Sequence, residues 1–361
     1  MSQKITKTII ITGTHLTPAL ELIRQLKNDP KINWSIIYIG RQFNSSDSKE
    51  ISIESKIIPK IGIKFYPISC GKLDRRYFLN TLTGISKTIK GFFESRKIIK
   101  NVKPNIIVSF GGYVSVPVII NSWIKHIPSI THEQTLTNSL TTKINSFFVT
   151  RIALSFKNPN QIKNLPENKI NITGNLLRYE IFSNHQKPLI KTSKPIIYIT
   201  AGNQGSHSIN LIIKKIIPLL SDFFIIHQTG KTDFLKFKQL EKKYSNYLAT
   251  EYIETEYIGW ILKNSNIIIS RSGANTSQEI VAFSQKSILI PLPKSQQNEQ
   301  FLNAVWVKKQ LPPQTIIIKQ DKLNSINLLK AIEKLQSIKT TTKTSDIKPN
   351  LNLLKLIHET I

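Results

Sequence analysis

Short apolar, β-branched runs alternate with longer amphipathic segments along almost the whole chain, and this rhythm restricts the fold more than any other feature. Residues 7–12, 34–39, 105–109 and 127–131 read as buried strands, and 18–27, 115–123 and 137–147 have helical spacing. Runs that stay apolar rather than alternating belong to strands covered on both faces, and parallel strands need helix-length crossovers. The pattern therefore predicts α/β architecture built from βα units. It restarts after residues 169–173 and a polar stretch at 183–194. A second series then opens at 195–200, with a helix from His207 and strands at 223–227, 267–269 and 287–291. Each series has glycine in its first βα loop, which predicts two doubly wound domains facing a cleft. The bounds are residues 1–172 and 173–345. A last helix near 346–361 packs back on the first domain, after a helix from about Leu329 and a break at 340–345. No solenoid repeat is visible.

Composition narrows the function classes. The 361 residues leave room for about two cores, and 40% hydrophobic residues is the content of a globular protein. No run approaches the roughly 18 apolar residues of a membrane span, and the N-terminal residues run into a strand pattern rather than a signal peptide. One cysteine, Cys70, excludes an internal disulfide framework and fits a reducing cytosol. The net charge of +28 invites a nucleic-acid reading. Yet the basic residues are spread along the chain, with no zinc-finger spacing and no RNP-like aromatic run, so no nucleic acid is expected. Two accounts of the charge stay open: general drift toward Ile, Asn and Lys, and attraction to an anionic membrane, at about 1 kcal/mol per nearby basic residue.

The segment from Ile269 to Glu279, Ile-Ser-Arg-Ser-Gly-Ala-Asn-Thr-Ser-Gln-Glu, carries the sharpest chemistry. A strand, a Ser272-Gly273 break and a helix with Ser/Thr caps and an early carboxylate bring free amides and the positive helix end to one spot. That is a phosphate site. Glu279 then lies where a carboxylate takes both hydroxyls of a ribose. An ordinary βα turn with a serine cap accounts for the segment taken alone.

Other segments break that tie. Ser109-Phe110-Gly111-Gly112-Tyr113-Val114-Ser115, Ile127-Pro128 with His132-Glu133-Gln134, Gly174-Asn175-Leu176-Leu177-Arg178, Ala201-Gly202-Asn203-Gln204-Gly205-Ser206 and His227-Gln228-Thr229-Gly230-Lys231 occur in order. With the 269–279 segment and Gln300 before Asn303-Ala304, they resemble the MurG family within glycosyltransferase family 28. That family's patterns GGYVS, IP…HEQN, GNPVR, GGSQGA, HQTGK, RSGA-T-SE and Q-NA run in the same sequence. The resemblance covers about residues 8–310. It implies a GT-B fold of two Rossmann-like domains, with UDP-N-acetylglucosamine on the C-terminal half and the membrane acceptor lipid I on the N-terminal half. The implied reaction inverts the anomeric configuration and yields lipid II for peptidoglycan synthesis, without metal or other cofactor. Its place is peripheral, on the cytoplasmic face of the inner membrane, beside cell-wall synthesis and division proteins. The chain has no Asp-x-Asp pair, so amides and basic groups must carry the diphosphate charge.

Carried over residue by residue, the resemblance makes Glu279 the ribose carboxylate, with Ala274, Asn275, Thr276, Ser277 and Gln278 as the phosphate-side turn. Ile258 is similar to the backbone contact for uracil, Gln300 and Asn303 to the groups that read the sugar, Arg178 to an arginine near the donor, and Asn203 to a serine at the phosphate. His15 resembles the histidine of the family's GGTGGH loop, written here Ile10-Ile11-Thr12-Gly13-Thr14-His15. Thr12, Gly13 and Thr14 complete that loop, from which three of four glycines are gone; each added Cβ narrows the backbone's approach to a phosphate. Thr135 replaces the asparagine of HEQN and loses an amide donor. His15 is a candidate base or diphosphate ligand, Glu133 a candidate for orienting the acceptor, and His132 a structural group. Lys231 reads equally as a phosphate group and as a solvated lysine. Residues 71–100 mix aromatic and basic side chains; with Trp123 they read either as a sheet-covering helix or as an interfacial surface. The rival functions are a GT-B transferase of another UDP-sugar or lipid acceptor, a UDP-N-acetylglucosamine epimerase, and a non-catalytic basic membrane-binding protein.

Overall fold

Every apolar run named above becomes a parallel strand, because isoleucine at consecutive positions fills both faces of a sheet. The computed structural model describes residues 4–43, 50–71, 78–182 (for 78–85 the backbone alone), 187–202, 204–293, 295, 298–338 and 350–361. The chain divides into two units, Met1–Arg178 with Asn350–Ile361, and Tyr179–Pro349.

In the first unit the strands are β1 (Ile5–Gly13), β2 (Ile32–Gly40), β3 (Lys64–Pro67), β4 (Ile106–Phe110), β5 (Ser129–Glu133), β6 (Arg151–Leu154) and β7 (Ile170–Ile172). Its first helices are α1 (Leu16–Lys27), α2 (Ile53–Lys60), α3 (Phe78–Val102), α4 (Ser115–Ile124), α5 (Leu140–Phe148) and the single turn α6 (Pro159–Ile162). The second unit has β8 (Ile196–Thr200), β9 (Phe224–Gln228), β10 (Tyr247–Thr250), β11 (Ser265–Ser270), β12 (Ser287–Leu289) and β13 (Thr315–Ile317). Its helices are α7 (His207–Ile216), α8 (Phe234–Lys238), α9 (Thr255–Asn264), α10 (Ala274–Ala282), α11 (Glu299–Gln310) and α12 (Ser325–Ser337); α13 (Asn352–Thr360) belongs to the first unit.

The sheets run β3-β2-β1-β4-β5-β6-β7 and β10-β9-β8-β11-β12-β13, with every pairing parallel. In each sheet the order reverses once, between β1 and β4 and between β8 and β11. Helices leave opposite faces at such a point, so a crevice opens beyond the strands' carboxyl ends, and ligands bind there in doubly wound sheets. The glycine turns Gly13–His15, Gly111–Gly112, Gly202–Ser206 and Ser272–Gly273 follow these four strands.

Alternation along β1 sends Ile9 and Ile11 to the layer of α1 and α13, and Ile10 to the layer of α3 and α4. Each such fully buried isoleucine contributes about 1.5–3 kcal/mol. In the second unit Ile197, Ile199, Ile267 and Ile269 pack under α7 and α12 through Ile209, Ile213, Leu328 and Leu335. Helix α13 is tied down by its own chemistry. Leu353, Leu356 and Ile357 enter the first core, His358 meets Asp29 at 2.6 Å, and Asn350 Nδ2 donates to Thr173 O at 2.6 Å.

Four strands, β3, β6, β10 and β13, carry no clear sequence signal. They are three or four residues long, too short for a periodicity to show.

Candidate functional site

In the second unit the site is built on the turn after β11. Arg271 is 9% exposed, and its guanidinium closes the strand's end. Nη1 donates to the carbonyls of Ile290 (3.0 Å) and Pro291 (3.3 Å). Nη2 lies 2.8 Å from Ser206 Oγ, 3.1 Å from Ser208 Oγ and 2.7 Å from Gln320 Oε1. These acceptors are all neutral, and Arg271 forms no ion pair among the described residues. Burial accordingly pulls its pKa down. The result is an uncompensated positive charge directly beneath the Gly202–Ser206 loop. Arg271 was not singled out from the sequence; the available signal was a charged residue two positions after the apolar run Ile267–Ile269.

The helix start differs from the expectation. Gly273, not a serine, precedes α10, and no side chain caps it. The Ser272 hydroxyl turns away to donate to Gln300 O at 2.7 Å. The first backbone bond of the turn runs from Ser277 N–H to Gly273 O. Gly273 thus leaves the amides of Ala274 and Thr276, at the positive helix end, without a side-chain cap. The first turn holds no acid: Glu279 sits in the second turn and is 3% exposed, with Ser277 and Gln278 also buried.

Gln300 and Asn303 support this turn rather than standing apart from it. Asn303 Nδ2 donates to Ser272 O at 3.0 Å. Asn303 is 1% exposed, and this bond makes it a support for the backbone of the turn. Gln300 Oε1 accepts from Leu292 N–H at 3.0 Å, while its Nε2 has no partner among the described residues and remains a donor for a ligand. Ile258 is buried on α9 as its fourth residue. A backbone contact to a base falls more readily on the first-turn amides just before it.

Opposite lies the loop after β8, where Gly202 (φ +77°) and Gly205 (φ +71°) have the left-handed backbone. A Cβ on Gly205 would overlap Thr229 O, so this loop locks against Thr229-Gly230. Asn203 lies outside the described residues. Beneath, Asn210 Nδ2 donates to Thr229 O (2.9 Å) and Asp233 (2.8 Å), while its Oδ1 accepts from His227 Nε2–H at 3.0 Å. His227 Nδ1 then accepts from Tyr247 O–H at 2.8 Å. Full burial holds His227 neutral, with a pKa of about 3. Lys231 is exposed.

In the first unit the turns after β1 and β4 interlock. Gly13 has φ +135°, and a Cβ there would lie 2.7 Å from Phe110 C. It is the one glycine of this loop that no other residue can replace. Tyr38 O–H donates to Gly13 O at 2.9 Å, and Thr14 N–H to Gly111 O at 3.2 Å. Thr12 is fully buried at the strand's end. The lost glycines therefore leave a turn packed by Thr14 on Gly112 rather than an open one.

His15 begins α1 without capping it, and its ring lies on Gly111. Its Nδ1 is 3.0 Å from Gln134 Nε2. Burial lowers its pKa, while nearby Glu133 opposes that and Arg41 adds to it. Both oxygens of Glu133 are engaged in this arrangement. Thr135 N–H and O–H reach one oxygen at 3.2 and 2.8 Å, and Ser139 N–H and Thr142 O–H reach the other at 3.0 and 2.6 Å. The carboxylate fastens the chain's entry into α5, and Thr135 is turned inward with it. His132 is buried, with its pKa pushed down to about 4 and Nε2 3.3 Å from Gly174 O. Arg178 ends the first unit, partly exposed beyond β7. Among the described residues no three His, Cys, Asp or Glu side chains gather as a metal site.

On the outer face of α3 and α4, Ile89 (54% exposed), Phe93 (61%) and Trp123 (55%) stand in solvent, and Phe147 of α5 is 71% exposed. Arg96, Lys97, Lys100 and Lys143 are exposed on α3 and α5, and Lys125 is exposed just after α4. Phe92 is half-buried against Phe93. Of residues 71–100, 72–77 and the side chains of 78–85 lie outside the described residues. No helix among the described residues is long and apolar enough to cross a membrane.

The glycosyltransferase family 28 N-terminal domain matches residues 7–154, and the family's C-terminal domain matches residues 196–361. A UDP-N-acetylglucosamine–N-acetylmuramyl-(pentapeptide) pyrophosphoryl-undecaprenol N-acetylglucosamine transferase of Clostridium botulinum is 37% identical over 340 residues, covering 91% of each chain. The protein of the same name from Clostridium tetani is 37% identical over 314 residues, covering 84% of this chain and 83% of its own. Among solved structures, Acinetobacter baumannii MurG superposes with a TM-score of 0.69 over 98% of this chain and 99% of that one, at 19% identity. A UDP-GlcNAc 2-epimerase from Neisseria meningitidis shares the fold at a TM-score of 0.64 and 13% identity over 99% of both chains. The chain belongs to glycosyltransferase family 28 and, within it, to the MurG family.

Proposed function

We propose that this protein transfers N-acetylglucosamine from UDP-N-acetylglucosamine to the undecaprenyl-pyrophosphoryl-N-acetylmuramyl-pentapeptide acceptor, lipid I, giving lipid II with inversion at the anomeric carbon. The observation that carries the donor half is Arg271, a buried guanidinium with only neutral partners beneath a glycine loop and an uncapped helix start. Such a charge is costly unless an anion shares the site. The second unit is then the UDP-sugar domain. The diphosphate is met by Arg271, the Gly202–Ser206 loop and the Ala274–Thr276 amides, Glu279 takes the ribose, and the Nε2 of Gln300 reaches the sugar. In the displacement the acceptor oxygen bonds to the anomeric carbon and the bond to UDP breaks. Its electron pair comes to rest on phosphate oxygen, which these groups stabilise without a metal.

The first unit takes the acceptor at the interlocked turns of β1 and β4, where His15 either removes the hydroxyl proton or holds the acceptor diphosphate. The exposed aromatics of α3, α4 and α5 with their surrounding cations support peripheral binding to the cytoplasmic face of an anionic membrane, where a lipid acceptor resides. The deciding assay is transfer of labelled N-acetylglucosamine to a lipid I analogue in the presence of a chelator. Formation of lipid II is expected. No transfer, conversion of the donor to an epimer, or activity restored only by magnesium or manganese would overturn the reading or its metal-free step.

A further inference from the structure

The second sheet ends at β13, and among the described residues no strand pairs with its outer side. Ser287 N–H donates to Gln314 O at 2.7 Å, and Ile318 N–H to Leu289 O at 2.9 Å, so Gln314 and Ile318 turn their peptide groups toward β12. Peptide groups alternate sides along a strand. The N–H and C=O of Thr315 and Ile317 therefore point away from the sheet. Beside this edge runs a groove of about 720 Å3, bounded on its other side by α12. Ile316, Ile317 and Ile338 give it an apolar lining, and Lys308, Lys319, Lys322, Lys330 and Lys334 stand around it. All five lysines are exposed, none forms an ion pair among the described residues, and no Asp or Glu is among the described residues that line the groove. Lys330 and Lys334 are one turn apart on α12, where like charges repel.

Lysine is also the residue with which sheets guard an open edge. Such a guard sits on the strand itself. Here the strand is Thr-Ile-Ile, and the lysines come from α11, α12 and the residues after β13, which leaves the edge within reach. Two copies of this edge would bring their lysines together and repel, whereas an acidic chain is attracted. Charge alone would draw any polyanion. The outward carbonyls of Thr315 and Ile317 oppose a phosphate oxygen, while their alternation with N–H groups matches the backbone of an extended peptide. We infer that this edge docks an extended acidic segment of a partner protein, which adds to the second sheet as a strand beside β13. Its backbone pairs with Thr315 and Ile317, its apolar side chains lie on Ile316 and Ile338, and its carboxylates meet the lysines.

The test uses the full chain and a fluorescein-labelled peptide of alternating glutamate and valine. Fluorescence anisotropy is expected to show saturable binding, and hydrogen exchange of the Thr315–Ile317 amides should slow when the peptide is bound. The same peptide with its alternate backbone amides methylated keeps the charge but cannot pair as a strand, and should bind at least about tenfold more weakly. Lys330→Glu with Lys334→Glu lies on the exposed side of α12 and should weaken the unmethylated peptide at least about tenfold. Ile317→Pro removes an outward N–H without touching the β12 ladder, a place where an edge strand accepts proline, and should weaken it to a similar extent; a matching thermal unfolding curve shows that each variant is folded. Three results would overturn the inference: no binding of the acidic peptide, equal binding of its methylated form, or unchanged exchange at 315–317 when the peptide saturates. It is overturned equally if phosphatidylglycerol vesicles or a single-stranded oligonucleotide bind wild type more tightly than the peptide does and lose that advantage in the double lysine variant, which would make the groove a surface for phosphate polyanions.

Discussion

Replacing Arg271 separates its charge from its hydrogen bonds. Its Nη2 lies 2.8 Å from Ser206 Oγ. A phosphate oxygen resting on that loop adds another hydrogen-bond length of about 3 Å, so the charge sits about 6 Å from the diphosphate. At an effective dielectric of about 20, each unit of negative charge there gains about 3 kcal/mol. Solvent reaching the ligand reduces this, and about 2 kcal/mol, or about 30-fold in affinity, is the expected net loss for Arg271→Met. Arg271→Lys retains the charge but not the planar fork that spans five acceptors. Both variants leave acceptors unpaired and should lose stability by a few kcal/mol. Titration calorimetry with UDP and with uridine distinguishes the two effects. Arg271→Met should bind UDP about 30-fold more weakly and uridine almost normally, with Arg271→Lys between it and wild type for UDP. If folded Arg271→Met binds UDP within threefold of wild type, or loses uridine to the same extent, the charge is structural and the diphosphate lies elsewhere.

Glu279→Ala should weaken UDP by at least about tenfold, since charge-assisted bonds to a ribose are worth about 1.5–3 kcal/mol each; unchanged UDP binding by calorimetry in the folded mutant would remove it from the site. Acid should destabilise the protein through His132 and His227, held near 4 and 3 against 6.5 when exposed. The unfolded chain takes up their protons first, so stability is full above about pH 7 and falls as pH drops through 6.5 toward 4, by about 1.4 kcal/mol per unit for each. Urea denaturation at pH 7.5 and 5.5 should differ by about 2–3 kcal/mol from these two groups, and a slope that His227→Gln does not reduce would contradict this. Phe93→Ser with Lys97→Glu should reduce sedimentation with anionic liposomes, the ionic part also weakening at high salt; indifference to both the mutations and lipid charge would return those side chains to an ordinary solvated surface.

The number and type of units were legible from the chain alone, because isoleucine runs spaced by helical segments admit almost nothing but parallel sheets. Ordered motifs such as those around Gly111, His132, His227 and Gly273 likewise identified the family without coordinates, since each glycine marks a turn at a strand's end. What sequence could not reveal was direction. Asn303 and Glu133 have the chemistry of ligand-binding groups, yet tertiary packing turns one onto Ser272 and the other onto the start of α5. Phe92 and Phe93 are neighbours of one type, and only the seating of α3 decides that Phe93 is the exposed one. Arg271 was legible as a letter but not as a charge without a counter-ion, a property set by elements far apart in sequence: Ser206, Ile290 and Gln320. Local patterns determine which strands and turns form, because those depend on near neighbours. Which side chain faces a ligand depends on who fills the space behind it, and that is decided only when distant segments pack together.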